Sequence, residues 1–350
     1  MPAKKCIGVI GELVEGPMWC RGRNSLFFTD IVSGTVFEYI PKMEKIQHWK
    51  IGTFVGCIVP GNHPEEIIAA VDGSLKALYP ETRAIRTLCP FPMPEGVRFN
   101  DGKCGPGGHL WVGTMEISGP REDAHGQEDI HAREDAHGQE DIHARGDAHI
   151  QEDIRPKGGL YRVGPDGQAD CAEPSLAIPN GMAWDVDKGI FYHVRTEERA
   201  VYAYRYHKDR HLIQCPVKAL DLSQEQGVPD GMAMDRYGNL WIAMWGGYKV
   251  ICINPVSGAK LGEVVLPDAN VSCCTFGGEH LDRLYITSAR DLMGNRGNHR
   301  RGADRRGRGS GRAPSHGCGS GYLRRLFRGQ DVASVRYHQY VRAGGQGQPL

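Results

Sequence analysis

The chain contains no run of about 18 consecutive apolar residues, the length a helix needs to span a bilayer. Its start, MPAKKCIGVIGEL, holds an apolar stretch too short for a secretory leader. Net charge is also absent. The 42 acidic and 42 basic residues cancel, so the whole molecule offers no field that would draw nucleic acid or an anionic membrane. No long segment repeats its apolar residues every 3.6 positions, which argues against a helical fold. Cysteines number eleven, but the setting for a disulfide framework is missing. The count is odd, 350 residues can bury a core unaided, and Cys252, Cys273 and Cys274 lie in apolar runs where a thiol behaves as a small hydrophobe. The reading is a soluble cytoplasmic protein with reduced thiols and no membrane partner. An arginine-rich segment near the C-terminus leaves the nucleus open as a second location.

What is present is a repeat. Pro179-Asn180-Gly181-Met182-Ala183-Trp184-Asp185 and Pro229-Asp230-Gly231-Met232-Ala233-Met234-Asp235 are near copies 50 residues apart. Pro94-Glu95-Gly96 opens in the same way, 85 residues before the first of them, and Glu15-Gly16-Pro17-Met18-Trp19 is a shorter relative. The excess in the 85-residue gap is a tandem twelve-residue unit over 121–156: REDAHGQEDIHA twice, then RGDAHIQEDIRP. Removing its 36 residues restores a spacing of 49.

After each copy and a turn comes an apolar, aromatic and β-branched segment, at Asn24–Ile31, His109–Met115, Gly189–Val194 and Asn239–Met244. Glu66–Val71 and Asp282–Ser288 fit the same spacing. Six units of roughly 40–50 residues, each of several short strands, predict an all-β, six-bladed β-propeller. It would span residues 1–292, be interrupted by the acidic, His-rich insertion 121–156, and be followed by an Arg/Gly-rich disordered tail over 293–350. Trp19, Trp111, Trp184 and Trp241 sit in the repeated strands and read as blade core. The five histidines of the insertion (His125, His131, His137, His143, His149) could hold zinc, but the composition reads as a solvated loop. The tail Arg296–Arg312 lacks the aromatics of a nucleic-acid binder, so nucleic acid is not an expected partner.

A propeller brings the same strand position of every blade to one central channel. The repeat carries an oxygen-bearing residue before glycine at one such position: Glu15, Glu95, Asn180 and Asp230. Two carboxylates and an amide oxygen would suit calcium, magnesium or manganese and tolerate zinc, with coordination positions left for water and substrate. Taken singly, an Asn-Gly or Asp-Gly pair is usually only a turn; the shared Pro, Met-Ala and Asp around it weigh against that.

Glu15-Gly16-Pro17, Arg98-Phe99-Asn100-Asp101-Gly102-Lys103, Gly113-Thr114-Met115, Asn180-Gly181, Pro229-Asp230-Gly231 and Ser272-Cys273-Cys274 with Phe276-Gly277-Gly278 together resemble the regucalcin (senescence marker protein), gluconolactonase and luciferin-regenerating enzyme family. The likeness covers roughly residues 8–120 and 156–292. It implies a six-bladed propeller and a calcium- or zinc-dependent lactonase acting on a sugar lactone. It also implies metal ligands at Glu15, Asn180 and Asp230, with Asp230 doubling as general base, and substrate contacts at Arg98 and Asn100. Glu95 falls outside the ligand set and reads as structural. The alternative is a calcium-binding regulatory protein, or a catalytically decayed homologue.

Three features depart from that pattern. Arg195 stands where an aspartate is expected, bringing a cation near the ligands. Ser118 stands where a substrate-contacting glutamate is expected, with Glu116 as a displaced substitute. The likeness stops near Asp291-Leu292, which leaves the sixth blade short of strands unless Gly321–Phe327 supplies one.

Overall fold

The structure, a computed structural model of the chain, describes residue 7 and residues 11–63, 65–117 and 156–290, together with the backbone of three strands at 4–5, 332–335 and 338–342. The architecture is an all-β propeller. Among the described residues the helical content is a single 3-10 turn at Pro41–Met43, and no helix is long and apolar enough to cross a membrane.

A short strand β1 (Lys4–Lys5) precedes four four-stranded antiparallel meanders. The first holds β2 (Val14–Cys20), β3 (Ser25–Asp30), β4 (Thr35–Ile40) and β5 (Lys45–Lys50). The second holds β6 (Val55–Pro60), β7 (Ile67–Val71), β8 (Ser74–Tyr79) and β9 (Ala84–Pro90). The third holds β10 (Val97–Cys104), β11 (Leu110–Glu116), β12 (Gly159–Val163) and β13 (Ala169–Pro174). The fourth holds β14 (Pro179–Asp185), β15 (Ile190–Arg195), β16 (Ala200–His207) and β17 (Leu212–Asp221). The six strands read from apolar segments match β3, β7, β11, β15, β19 (Leu240–Trp245) and β23 (Arg283–Ala289) to within one residue at each end.

The expectation of six blades is corrected here. Hydrogen bonding defines five sheets, because the last holds nine strands. It contains β18 (Val228–Met234), β19, β20 (Lys249–Ile253) and β21 (Lys260–Val265), and it continues through β22 (Asn270–Gly277) and β23. One residue pair, Trp245 with Asn270, joins the two runs. Two strands from the region expected to be a disordered tail, β24 (Val332–Val335) and β25 (His338–Arg342), extend this sheet, with β25 pairing along β23 from Arg283–Arg342 to Thr287–His338. Gly321–Phe327 and the tandem insertion lie outside the described residues.

The first strands of the meanders pack in a closed cycle, β2, β6, β10, β14, β18, β22 and back to β2. Closure is direct: Ser272 Oγ donates to the Val14 carbonyl at 2.7 Å, and the Arg290 N–H donates to the Glu12 carbonyl at 3.0 Å. Apolar side chains between neighbouring sheets carry the stability. Trp111 and Trp241 are fully buried, each contributing on the order of 4 kcal/mol by area, and Trp19 stacks on Tyr285 with centroids 5.5 Å apart across the closure. Trp111, Trp184 and Trp241 are core, as their place in the repeat implied, and Trp19 is partly buried against it.

One local device recurs in every first strand. Pairing with the second strand slips by one residue at Glu15/Met18, Val55/Cys57, Phe99/Gly102, Pro179/Met182, Pro229/Met232 and Val271/Cys273. Such a bulge bends a strand and re-aims a side chain. The bulges hold Gly56, Asn100, Asn180, Asp230 and Ser272, while in β2 the bulge falls at Gly16 and Pro17 and Glu15, paired with Thr29, immediately precedes it. Acidic residues fix the chain as it enters three of these strands. Asp30 accepts the N–H groups of Glu12 and Leu13, Asp72 those of Thr53 and Phe54, and Glu197 those of Ala177 and Ile178.

Candidate functional site

The bulges turn one residue of each first strand toward its neighbours, and glycine is what lets the strands approach. A Cβ on Gly181 would lie 2.7 Å from the Asp230 carbonyl oxygen, and one on Gly231 would lie 2.2 Å from Cys273 Sγ. The Asn-Gly and Asp-Gly pairs are thus close-packing positions in strands, not surface turns.

Glu15, Asn100, Asn180 and Asp230 are all buried, between 5 and 7% exposed. Arg98 Nη1 donates to Asn100 Oδ1 at 3.0 Å and to the Phe99 carbonyl at 2.9 Å. Asn100 Nδ2 donates to Asn180 Oδ1 at 2.8 Å and to the Pro179 carbonyl at 3.0 Å. Asn180 Nδ2 donates to Thr196 Oγ1 at 2.8 Å. Glu15 Oε2 accepts the Gly16 N–H at 3.0 Å.

The electrostatics tie in Glu15 and Asp230. Burial pushes the Glu15 carboxyl up from 4.5 to about 8, helped by the negative charge of Asp101 and opposed by the Gly16 N–H and Arg98. Asp230 is raised well above the usual carboxylate range by burial, then by Glu15 and Asp101, with the Gly231 N–H and Arg98 opposing. Burial lowers the Arg98 guanidinium, while Glu15 and Asp230 pull it back up. Two buried carboxylates that resist ionisation are a site short of positive charge.

That deficit, with hard oxygen donors, fits a divalent cation. Among the described residues no three His, Cys, Asp or Glu side chains are grouped to hold an ion by themselves. The expected set contains only two of those types, so the Asn180 amide oxygen is its deciding third donor.

The structure corrects the slot assigned to Glu95. That residue is exposed in the loop before β10, and the bulged position of β10 belongs to Asn100, five residues on. Sequence reasoning also missed Asp101 and Thr196. Asp101 is buried beside the bulge, where β14 and β18 carry glycine; burial raises its carboxyl against Lys103 and the Gly102 N–H. The Arg98–Lys103 motif contained the signal, but aligning on Pro94-Glu95-Gly96 hid it.

Arg195 does not oppose a cation at the centre. Its guanidinium is engaged by Glu173, by Glu198 at 2.9 Å and by the Tyr204 hydroxyl at 3.0 Å, and it covers the Tyr202 ring at 3.8 Å. Glu116 is half-exposed and pairs with Lys157 at 3.4 Å, so it does not replace the expected glutamate; Ser118 lies outside the described residues. Two cavities of about 340 and 320 Å³ share Arg162 and Asp170 and contain none of the predicted site residues.

Comparison with known proteins gives the family and the fold. A family model described as SMP-30/Gluconolactonase/LRE-like region matches residues 13–290. The chain is 30% identical to regucalcin of Homo sapiens over 80% of its length and 84% of the relative's. It is 28% identical to the pentonolactonase XacC of Haloferax volcanii, covering 83% of this chain and 86% of that one. The solved structure of the calcium-binding protein regucalcin from Agrobacterium tumefaciens superposes with a TM-score of 0.67 at 19% identity, over 84% of this chain and 88% of that one, a likeness of fold.

Proposed function

Because the chain belongs to the SMP-30/gluconolactonase/LRE-like family, we propose that it hydrolyses sugar lactones with a divalent cation held by Glu15, Asn180 and Asp230. The observation that carries this reading is one recurring bulge with an amide and a charge-starved carboxylate in it at Asn180 and Asp230 and a second such carboxylate beside it at Glu15. Calcium and zinc are the favoured ions, and magnesium or manganese suit the same oxygens.

When bound, the cation supplies Lewis-acid polarisation of the lactone carbonyl and acidification of water. The chain's own residues do the rest. Asp230 takes a proton from the attacking water as the new C–O bond forms at the carbonyl carbon. The ring C–O bond then breaks, and the departing alkoxide recovers that proton, leaving the open-chain hydroxy acid. Arg98 holds sugar oxygens through its remaining N–H groups. Asn100 has both amide protons engaged, so it meets substrate through the free lone pair of Oδ1 while fixing Arg98.

The test is hydrolysis of gluconolactone with calcium, zinc, manganese or chelator. Asp230→Asn keeps the shape and removes the base, so turnover should fall by roughly 10²–10⁴ while the chain still folds cooperatively. Turnover equal to wild type would reject the assignment. Cation binding without any turnover in the wild type would instead support the regulatory reading.

A further inference from the structure

The geometry points to Thr196 as the positioning residue that locks the Asn180 amide with its oxygen toward the centre and ties that amide to the backbone beside Asp230. This rests on the cation reading above and goes beyond it to a residue that touches neither ion nor substrate. The oxygen and nitrogen of a side-chain amide are nearly identical in shape, so a buried asparagine ligates a cation only if something fixes which end faces it. Here a one-way chain of hydrogen bonds does so.

The chain starts at Arg98, which can only donate, with Nη1 on Asn100 Oδ1 at 3.0 Å. Asn100 must then turn its Nδ2 onward, and it donates to Asn180 Oδ1 at 2.8 Å. At the far end stands the Pro229 carbonyl, which can only accept. Thr196 Oγ1 donates to it at 2.8 Å, which leaves the hydroxyl oxygen free to accept from Asn180 Nδ2 at 2.8 Å. A flipped Asn180 would set nitrogen against the Asn100 N–H groups and oxygen against a hydroxyl already committed to Pro229. Both ends therefore exclude the flip. Thr196 is 8% exposed, so bulk water does not readily replace it. Pro229 immediately precedes Asp230, so the same hydroxyl couples the placement of two proposed ligands on neighbouring sheets. Arg195 and Thr196 adjoin in sequence but do different things: the first binds outward to Glu173, the second inward to Asn180.

The test measures calcium and zinc binding to the chelator-treated full chain by calorimetry, with circular dichroism as the check on folding. Thr196→Val is nearly isosteric and lacks the hydroxyl. Affinity should fall by roughly 10–100-fold, as when an outer partner of a metal ligand is lost, while Thr196→Ser retains wild-type affinity. If Thr196→Val yields too little folded protein, Thr196→Ala is read in its place and must also weaken binding.

Asn180→Asp separates positioning from general support, because both of its terminal atoms are oxygen and orientation no longer matters. In that background Thr196→Val should cost far less affinity than in the wild type, a coupling that a double-mutant cycle reads directly. Wild-type affinity in Thr196→Val, or an equal loss in both backgrounds, overturns the inference alone. Failure of the wild type to bind any divalent cation overturns the cation reading and this inference with it.

Discussion

Removing one carboxylate from the centre should stabilise the cation-free protein at high pH. Glu15 ionises near 4.5 when exposed and near 8 in the fold. Between those values the unfolded chain has released the proton and the folded chain keeps it. The contribution is full below about 4.5, is lost as pH rises, and is gone above about 8. Moving from 4.5 to about 8 corresponds to about 5 kcal/mol. Glu15→Gln has nearly the same shape and no charge, so it avoids that loss. It also removes the second-largest cause of the upward displacement of Asp230. In chelator, Glu15→Gln should match wild type near pH 5 and exceed it at pH 8.5 by several kcal/mol, on the order of 10 °C in midpoint. Adding calcium at pH 8.5 should reverse the order, raising the wild-type midpoint and leaving the variant unmoved. Thermal and urea unfolding followed by circular dichroism reads all of these. A variant no more stable than wild type at pH 8.5, or one favoured equally at both pH values, would refute the charge-deficit argument.

Two further outcomes follow from the same geometry. Replacing residues 118–155 with a short turn should leave the propeller folded, because Glu116 pairs with Lys157 and the Ile117 N–H bonds the Gly96 carbonyl at the base of the insertion. A roughly tenfold shorter connection lowers the closure cost by about 2 kcal/mol, so the unfolding midpoint should rise or hold; a large fall would show that the insertion supports the fold. Arg195→Ala removes the cation shared by Glu173 and Glu198 between the third and fourth sheets, and should cost about 3 kcal/mol in urea unfolding while cation affinity stays unchanged. Loss of affinity would mean that Arg195 acts on the centre after all.

The repeat was legible in sequence because each copy encodes its own local structure. A proline, a polar residue and a glycine that permits close approach make the bulge at Asn180 and Asp230, and the apolar segment after the turn makes the strand beside it. Those are short-range consequences of side-chain shape, so six second strands could be placed within a residue of their positions. The third copy misled for the same reason. Pro94-Glu95-Gly96 looks like the motif, yet the bulge forms where pairing with β11 slips, at Asn100, and only that pairing locates it.

Other features needed the folded ring. Arg195 and Thr196 are adjacent, and no local signal says which of them meets the centre; the packing of β15 between two sheets decides it. Asp101 bears on Glu15 and Asp230 only because β2, β10 and β18 converge. The number of sheets turned on one pair, Trp245 with Asn270, and on β24 and β25 pairing back onto β23. Sequence determined the residues and their local turns, because those depend on neighbours along the chain. Tertiary structure decided which of them face one another, because hydrogen bonds and charge act between residues brought together from 79 and 80 positions apart.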